Sequence, residues 1–210
     1  RPQNFEDLMG QEIMVQTLKN AFKTNRIAHA YILTGVRGIG KTTTARLLAR
    51  SLNYETETVN EPDIDMLELG KHCLEIMESR HIDVIEMDAA SRTGIADIRE
   101  IIDSVNYSPS SARYKIYIID EVHMLSKAAF NGLLKTLEEP PPHVKFIFAT
   151  TEVQKIPLTI LSRCQRFDLK RFDKDMIKLL INKVCEKEMV SIEDPIIDLI
   201  AKASGGSARD

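Results

Sequence analysis

Gly35-Val36-Arg37-Gly38-Ile39-Gly40-Lys41-Thr42 meets the pattern G-x-x-x-x-G-K-[ST] in full, and it lies between a strand-like run and a helix-like run. Ahead of it, Ala30-Tyr31-Ile32-Leu33-Thr34 is a short apolar stretch of strand formers. Behind it, Ala45, Leu48, Ala49 and Leu52 recur at helical spacing. Strand, glycine-rich loop and helix in that order are how a phosphate-binding loop opens an α/β unit. Gly35, Gly38 and Gly40 let the backbone turn tightly and aim N–H groups at phosphate oxygens, and the helix adds the positive end of its dipole. Lys41 is expected to reach the β- and γ-phosphates and Thr42 to give its hydroxyl to Mg²⁺, with Thr43 beside them. The stretch therefore predicts a site for a nucleoside triphosphate with Mg²⁺.

The rest of the composition sets limits around that site. With 210 residues, 43% hydrophobic and 28% charged, the chain has the make-up of an ordinary soluble globular protein with one main core. No apolar stretch approaches the roughly 18 residues a membrane span needs, so no membrane partner is expected. Arg1 is not an initiator methionine and no signal or transit segment is visible, so the sequence reads as a piece of a longer protein. A net charge of -3 argues against a uniformly basic nucleic-acid binder but allows a local basic rim. Cys73, Cys164 and Cys185 are odd in number and far apart, which fits reduced thiols in a cytoplasmic protein better than a disulfide framework.

Strands and helices alternate up to Leu169 and helices follow. Strands are predicted over Tyr31 to Thr34, Asp83 to Asp88, Lys115 to Asp120, Lys145 to Thr150 and Gln165 to Leu169. Several are apolar almost throughout, as in a parallel sheet covered on both faces. Helices are predicted over Glu12 to Lys23, Gly94 to Val105 and a stretch after Ser126, which can cap it, ended by Pro140-Pro141-Pro142. Two more follow Phe172, the second opened by Asp194-Pro195 and closed by Gly205-Gly206. The predicted architecture is an α/β domain with a five-stranded parallel sheet over residues 1–168, then a helical unit over residues 169–210.

Ile116-Tyr117-Ile118-Ile119-Asp120-Glu121 is a second chemical motif, an apolar strand ending in two acids. Ligands of open α/β sheets gather at the carboxyl ends of strands, so both acids should face the crevice of the phosphate loop. Asp120 is then the Mg²⁺ partner, directly or through water, and Glu121 the carboxylate that orients and helps deprotonate an attacking water.

Three further runs make the pattern more specific. They are Asp120-Glu121-Val122-His123-Met124-Leu125-Ser126, then Leu133-Leu134-Lys135-Thr136-Leu137-Glu138-Glu139-Pro140-Pro141, then Leu161-Ser162-Arg163-Cys164. With them, Arg1-Pro2-Gln3-Asn4-Phe5, Gly10-Gln11-Glu12 and residues 88–94, the chain resembles AAA+ ATPases of the clamp-loader group, and more narrowly their bacterial tau/gamma type, over essentially its whole length. That resemblance implies an AAA+ P-loop domain followed by the first part of a helical lid, hydrolysis of ATP with Mg²⁺, and a role in opening a sliding clamp and loading it on primed DNA. Partners implied are the other clamp-loader subunits, in a hetero-pentamer held by a collar domain, with the sliding clamp and primed DNA.

The resemblance also implies roles for single residues. Thr151 falls at the sensor-1 position, and Arg163 matches the arginine that reaches into a neighbouring subunit's ATP site. Arg209 matches sensor 2 of the lid. Arg92, Thr93 and Arg99 correspond to a DNA-contacting loop and helix start, which suits the phosphate backbone and carries no base code. Arg1, Pro2 and Ile13 lie where the family binds the adenine base.

One departure concerns metal. The family usually carries a four-cysteine zinc module after the phosphate-loop helix, whereas this chain has Tyr54 at the first cysteine position and only Cys73 near the last. His72 and His81 do not complete a tetrahedral set, so no structural zinc is expected, and Leu67, Leu74 and Met77 are expected to replace it by apolar packing on a helix. Rival readings are a non-hydrolysing scaffold subunit, which intact Lys41, Thr42, Asp120 and Glu121 oppose, and another AAA+ motor such as a branch-migration helicase. A kinase sharing the loop is disfavoured by the absence of an acceptor pocket.

Overall fold

The first strand, β1 (Ala30–Thr34), is buried along its whole length, and its alternate side chains feed two separate cores. Tyr31 and Leu33 join one, Ala30 and Ile32 the other, as the period-two pleat dictates. The structure is a computed structural model that describes residues 2, 4–91 and 95–208, Ile95 by its backbone alone. Among them, β1, β2 (Val84–Asp88), β3 (Lys115–Asp120), β4 (Val144–Thr150) and β5 (Gln165–Asp168) form one parallel sheet in the order β2-β3-β4-β1-β5. This is the five-stranded sheet the sequence predicts. Strand ends shift by one residue, most visibly at β5, which stops at Asp168, although Leu169 N still donates to Thr34 O at 2.9 Å.

One face is covered by α1 (Glu12–Lys23), α2 (Lys41–Leu52) and α3 (Cys73–Met77), whose Leu18, Leu47, Leu48 and Ile76 pack with Ile116, Ile118 and Ile147. The other is covered by α4 (Ile95–Val105), α5 (Lys127–Glu138) and the short α6 (Leu158–Leu161), through Ile98, Leu133 and Ile160 against Tyr117, Ile119, Phe146 and Phe148. Burial of both faces is what lets the central strand β4 be apolar almost throughout. After β5 come α7 (Lys174–Glu188), capped by Asp173 accepting Met176 N at 2.8 Å, and α8 (Asp194–Ala203), in which Pro195 occupies the first turn.

The segment between α2 and β2 packs differently from its expectation. Leu67 is 89% exposed and Leu74 55% exposed, and only Met77 of the three expected residues packs against the core. Since α3 begins at Cys73, its inward positions one turn apart are Cys73 and Ile76, and Leu74 points outward. The core contribution comes instead from Tyr54, Ile64 and Met66. Tyr54 Oη donates to Glu68 O at 2.9 Å and accepts Glu68 N at 3.1 Å, Arg50 Nε donates to Cys73 Sγ at 2.8 Å, and a ring nitrogen of buried His72 lies 2.8 Å from one of His81. Among the described residues, no group of three or more His, Cys, Asp or Glu is placed to hold a metal ion, and no helix is long and apolar enough to cross a membrane.

Candidate active site

The phosphate loop is the turn from β1 into α2, and its backbone explains its glycines. Gly40 caps α2 with φ of 93°, a left-handed conformation that side chains rarely adopt. A Cβ on Gly35 would lie 2.3 Å from Ile39 Cδ1 and 3.0 Å from Leu169 O, so the loop closes on its own buried Ile39 and on the chain leaving β5. Val36 and Arg37 ride on the outside of the turn.

Lys41 is buried, and its Nζ donates to Gly35 O and Val36 O, each at 3.0 Å. Burial holds the amine below its usual pKa, and the nearby Glu121 and Asp120 carboxylates only partly oppose this. A desolvated ammonium folded onto loop carbonyls is poised for an anion within the turn. Thr42 Oγ1 donates to Asp120 Oδ2 at 2.6 Å, which joins the first turn of α2 to the carboxyl end of β3. A hydroxyl and a carboxylate in contact at the mouth of the loop are the oxygen donors a Mg²⁺–nucleotide needs, so this pair fits that group.

Glu121 follows with φ of 46°, left-handed for a residue with a side chain, and its N–H donates to Asp120 Oδ1 at 2.9 Å. Its Oε2 accepts from Thr151 N at 3.3 Å and Thr151 Oγ1 at 3.1 Å, so the ends of β3 and β4 meet at this carboxylate. The chain thus brings together Gly35 through Thr43, Asp120, Glu121 and Thr151. The sequence reading missed His123, which packs against this group; the signal was its place two residues after Glu121, where a 3₁₀ turn (Val122–Met124) folds it back.

The remaining expected residues are spread more widely. Arg163 donates to Thr159 O at 2.6 Å and pairs with Glu138 at 2.6 Å, a partner the sequence reading did not identify. Arg99 is exposed on α4. Ile13 is 72% exposed and lines a cleft of about 340 Å³ with Gln11, Gln165, Phe167 and Lys170, a cleft that holds no phosphate-loop residue. Pro2 is half-buried. Arg1, Arg92, Thr93 and Arg209 lie outside the described residues. Next to Arg209, Ala208 N donates to Gly38 O at 3.0 Å, so the segment after α8 touches the phosphate loop.

A parallel sheet in this order, with a glycine-lysine-threonine loop at one strand end and an aspartate-glutamate pair at another, defines a P-loop ATPase fold of the AAA+ class. The chain belongs to the family described as DNA polymerase III, delta subunit, whose profile matches residues 10–173. It is 49% identical over its full length to a DNA polymerase III subunit tau of Escherichia coli, of which it covers 32%, and 50% identical to that of Bacillus subtilis, of which it covers 37%. It is 46% identical to a subunit gamma of Buchnera aphidicola, covering 56% of it. The chain thus spans about a third of the length of the tau relatives it matches. Among solved structures, the Thermotoga maritima RuvB Holliday junction branch migration motor aligns over 100% of this chain and 61% of its own at a TM-score of 0.70 and 22% identity. A Thermotoga maritima DNA polymerase III gamma subunit-related protein aligns over 90% of this chain and 57% of its own at 0.52 and 24%. At those identities the likeness is one of fold.

Proposed function

We propose that this chain is the ATPase part of a tau/gamma-type clamp-loader subunit that hydrolyses ATP with Mg²⁺ to help open a sliding clamp and load it on primed DNA in the bacterial cytoplasm. The observation that carries the reading is the contact of Thr42 Oγ1 with Asp120 Oδ2 at 2.6 Å, with Glu121 the next residue and held on Thr151. In this reading residues 1–168 are the ATPase domain and residues 169–210 the beginning of the lid. Thr42 and Asp120 would hold Mg²⁺, which would supply positive charge to the nucleotide's phosphates. Gly35 through Thr43 bind phosphates through the backbone, and Lys41 exchanges the carbonyls of Gly35 and Val36 for phosphate oxygens. Glu121 orients the attacking water and accepts its proton, and Thr151 fixes the carboxylate. Arg163 acts in trans on a neighbouring subunit's nucleotide and must leave Glu138 to do so. Arg209 serves as sensor 2, Arg1, Pro2 and Ile13 flank the adenine, and Arg92, Thr93 and Arg99 meet the DNA backbone. No structural zinc is needed.

Identity of 49% to a tau subunit, against 22% to the branch-migration motor, supports the loader over that alternative. The presence of Lys41, Thr42, Asp120 and Glu121 supports hydrolysis over a scaffold role. The test is ATP turnover by the full-length subunit in its assembled complex, with and without sliding clamp and primed DNA. Strong stimulation by the two together is expected, and turnover indifferent to both would overturn the loader reading.

A further inference from the structure

We propose that His123 is a positioning residue for Glu121, holding the carboxylate in the orientation from which it prepares the attacking water. The inference rests on the reading of Glu121 given above. His123 is almost wholly enclosed, and both its ring nitrogens face groups that matter. Nε2 lies 3.3 Å from Glu152 Oε1, while Nδ1 lies 2.9 Å from Thr150 Oγ1 and 3.4 Å from Glu121 Oε2. The side opposite Glu121 is itself anchored. Glu152 pairs with Lys155 at 2.8 Å, and Glu152 N donates to Thr150 Oγ1 at 3.0 Å. The imidazole is therefore wedged between two carboxylates, one fixed by its own loop and one at the reacting centre.

The reason this arrangement needs a histidine lies in its two nitrogens. An N–H at Nε2 satisfies Glu152 and locks the ring plane, which leaves Nδ1 edge-on to Thr150 and Glu121. A protonated Nδ1 donates toward Glu121, and an unprotonated one accepts the Thr150 hydroxyl. In both states the ring stands against Oε2 of Glu121, the same oxygen that accepts from Thr151. Glu121 needs that constraint, because it combines a left-handed backbone with a flexible stem that reaches across to Thr151 at the end of β4. Catalytic groups held by a packed, hydrogen-bonded surround lose less rate to misorientation.

Asparagine places an amide where Nδ1 sits and glutamine places one where Nε2 sits, so the two replacements separate the Glu121 side of the ring from the Glu152 side. In the full-length, assembled complex stimulated by clamp and primed DNA, His123→Asn is expected to keep kcat within about twofold of wild type. His123→Gln and His123→Ala are expected to lower kcat about tenfold, through loss of the polar contact that Nδ1 makes at 3.4 Å with the Glu121 carboxylate, with the KM for ATP and the affinity for ADP unchanged. Equal loss in all three variants, unchanged kcat in His123→Ala, or a parallel fall in ADP affinity would each overturn the proposal and leave a structural wedge. Should His123→Ala fail to fold, the asparagine and glutamine variants still carry the comparison. Glu121→Gln run beside them keeps the two ideas apart: wild-type turnover in that variant would sink the role of Glu121 itself, whatever His123 does.

Discussion

Lys145 is a cation with almost no water around it. It lies on the central strand β4 at 3% exposure, with Nζ 4.9 Å from the centre of the Tyr114 ring, and burial pushes its pKa from 10.5 down to about 8. Lys41 is buried by the same physics, yet it faces a loop shaped for phosphate, whereas Lys145 has no comparable task. Below pH of about 8 both folded and unfolded chains carry the proton, and the fold bears the full cost of burying it. Between about 8 and 10.5 the unfolded chain holds more protons, so stability rises with pH across that window. Lys145→Met, which keeps the apolar stem, is expected to stabilise the protein by about 1–2 kcal/mol near neutral pH and to flatten the rise above pH of about 8. Urea melts at both pH values test this, and an unchanged or lower midpoint for the variant would show that the ammonium is solvated or paired.

At the scale of elements, α5 shows how much a sequence can disclose when its signals are local. Ser126 accepts Ala129 N at 3.2 Å, Phe130, Leu133 and Leu137 are buried, and the helix ends at Glu138 before the prolines. Ser126→Ala is expected to cost about 0.5–2 kcal/mol in thermal or denaturant unfolding, while Ser126→Asp should keep most of that. The loop from Gly35 to Thr42 and the acids closing β3 were readable for the same reason, since each motif sits within a few residues of the chain. The insert after α2 was not. A helix as short as α3 offers too little periodicity to show its buried side, so exposed Leu67 and Leu74 counted as core while Tyr54, Arg50 with Cys73 and His72 with His81 decided the packing. Arg50 with Cys73 is a pair far apart in sequence, and so are Glu121 with Thr151, His123 with Thr150 and Arg163 with Glu138. The last three depend on β3 and β4 being neighbours or on α5 meeting the end of α6, which a linear reading cannot supply. Arg92, Thr93 and Arg209 lie outside the described residues and stay expectations from the resemblance.

The whole molecule is tied together at the mouth of β1. Thr34 Oγ1 donates to Asp168, Gln11 donates to Lys170 O at 3.2 Å, and Ala208 N reaches Gly38 O at 3.0 Å. Nucleotide that orders the loop should therefore order the segment after α8 as well, because a ligand binding one conformation stabilises everything that conformation contains. Hydrogen exchange on the full-length protein with and without ADP and Mg²⁺ is expected to slow at Gly38–Thr43 and at Ser204–Ala208 together. Protection confined to the loop would mean the two segments respond separately. The bond from Ala208 to Gly38 also has a meaning in time. At the usual pace of synthesis, about 5–20 residues per second, α8 follows the loop out of the ribosome by on the order of ten seconds or more. During that interval the nascent chain carries a phosphate loop whose Gly38 carbonyl has no Ala208 to meet, so the resting shape of the loop is completed only after α8 has been made.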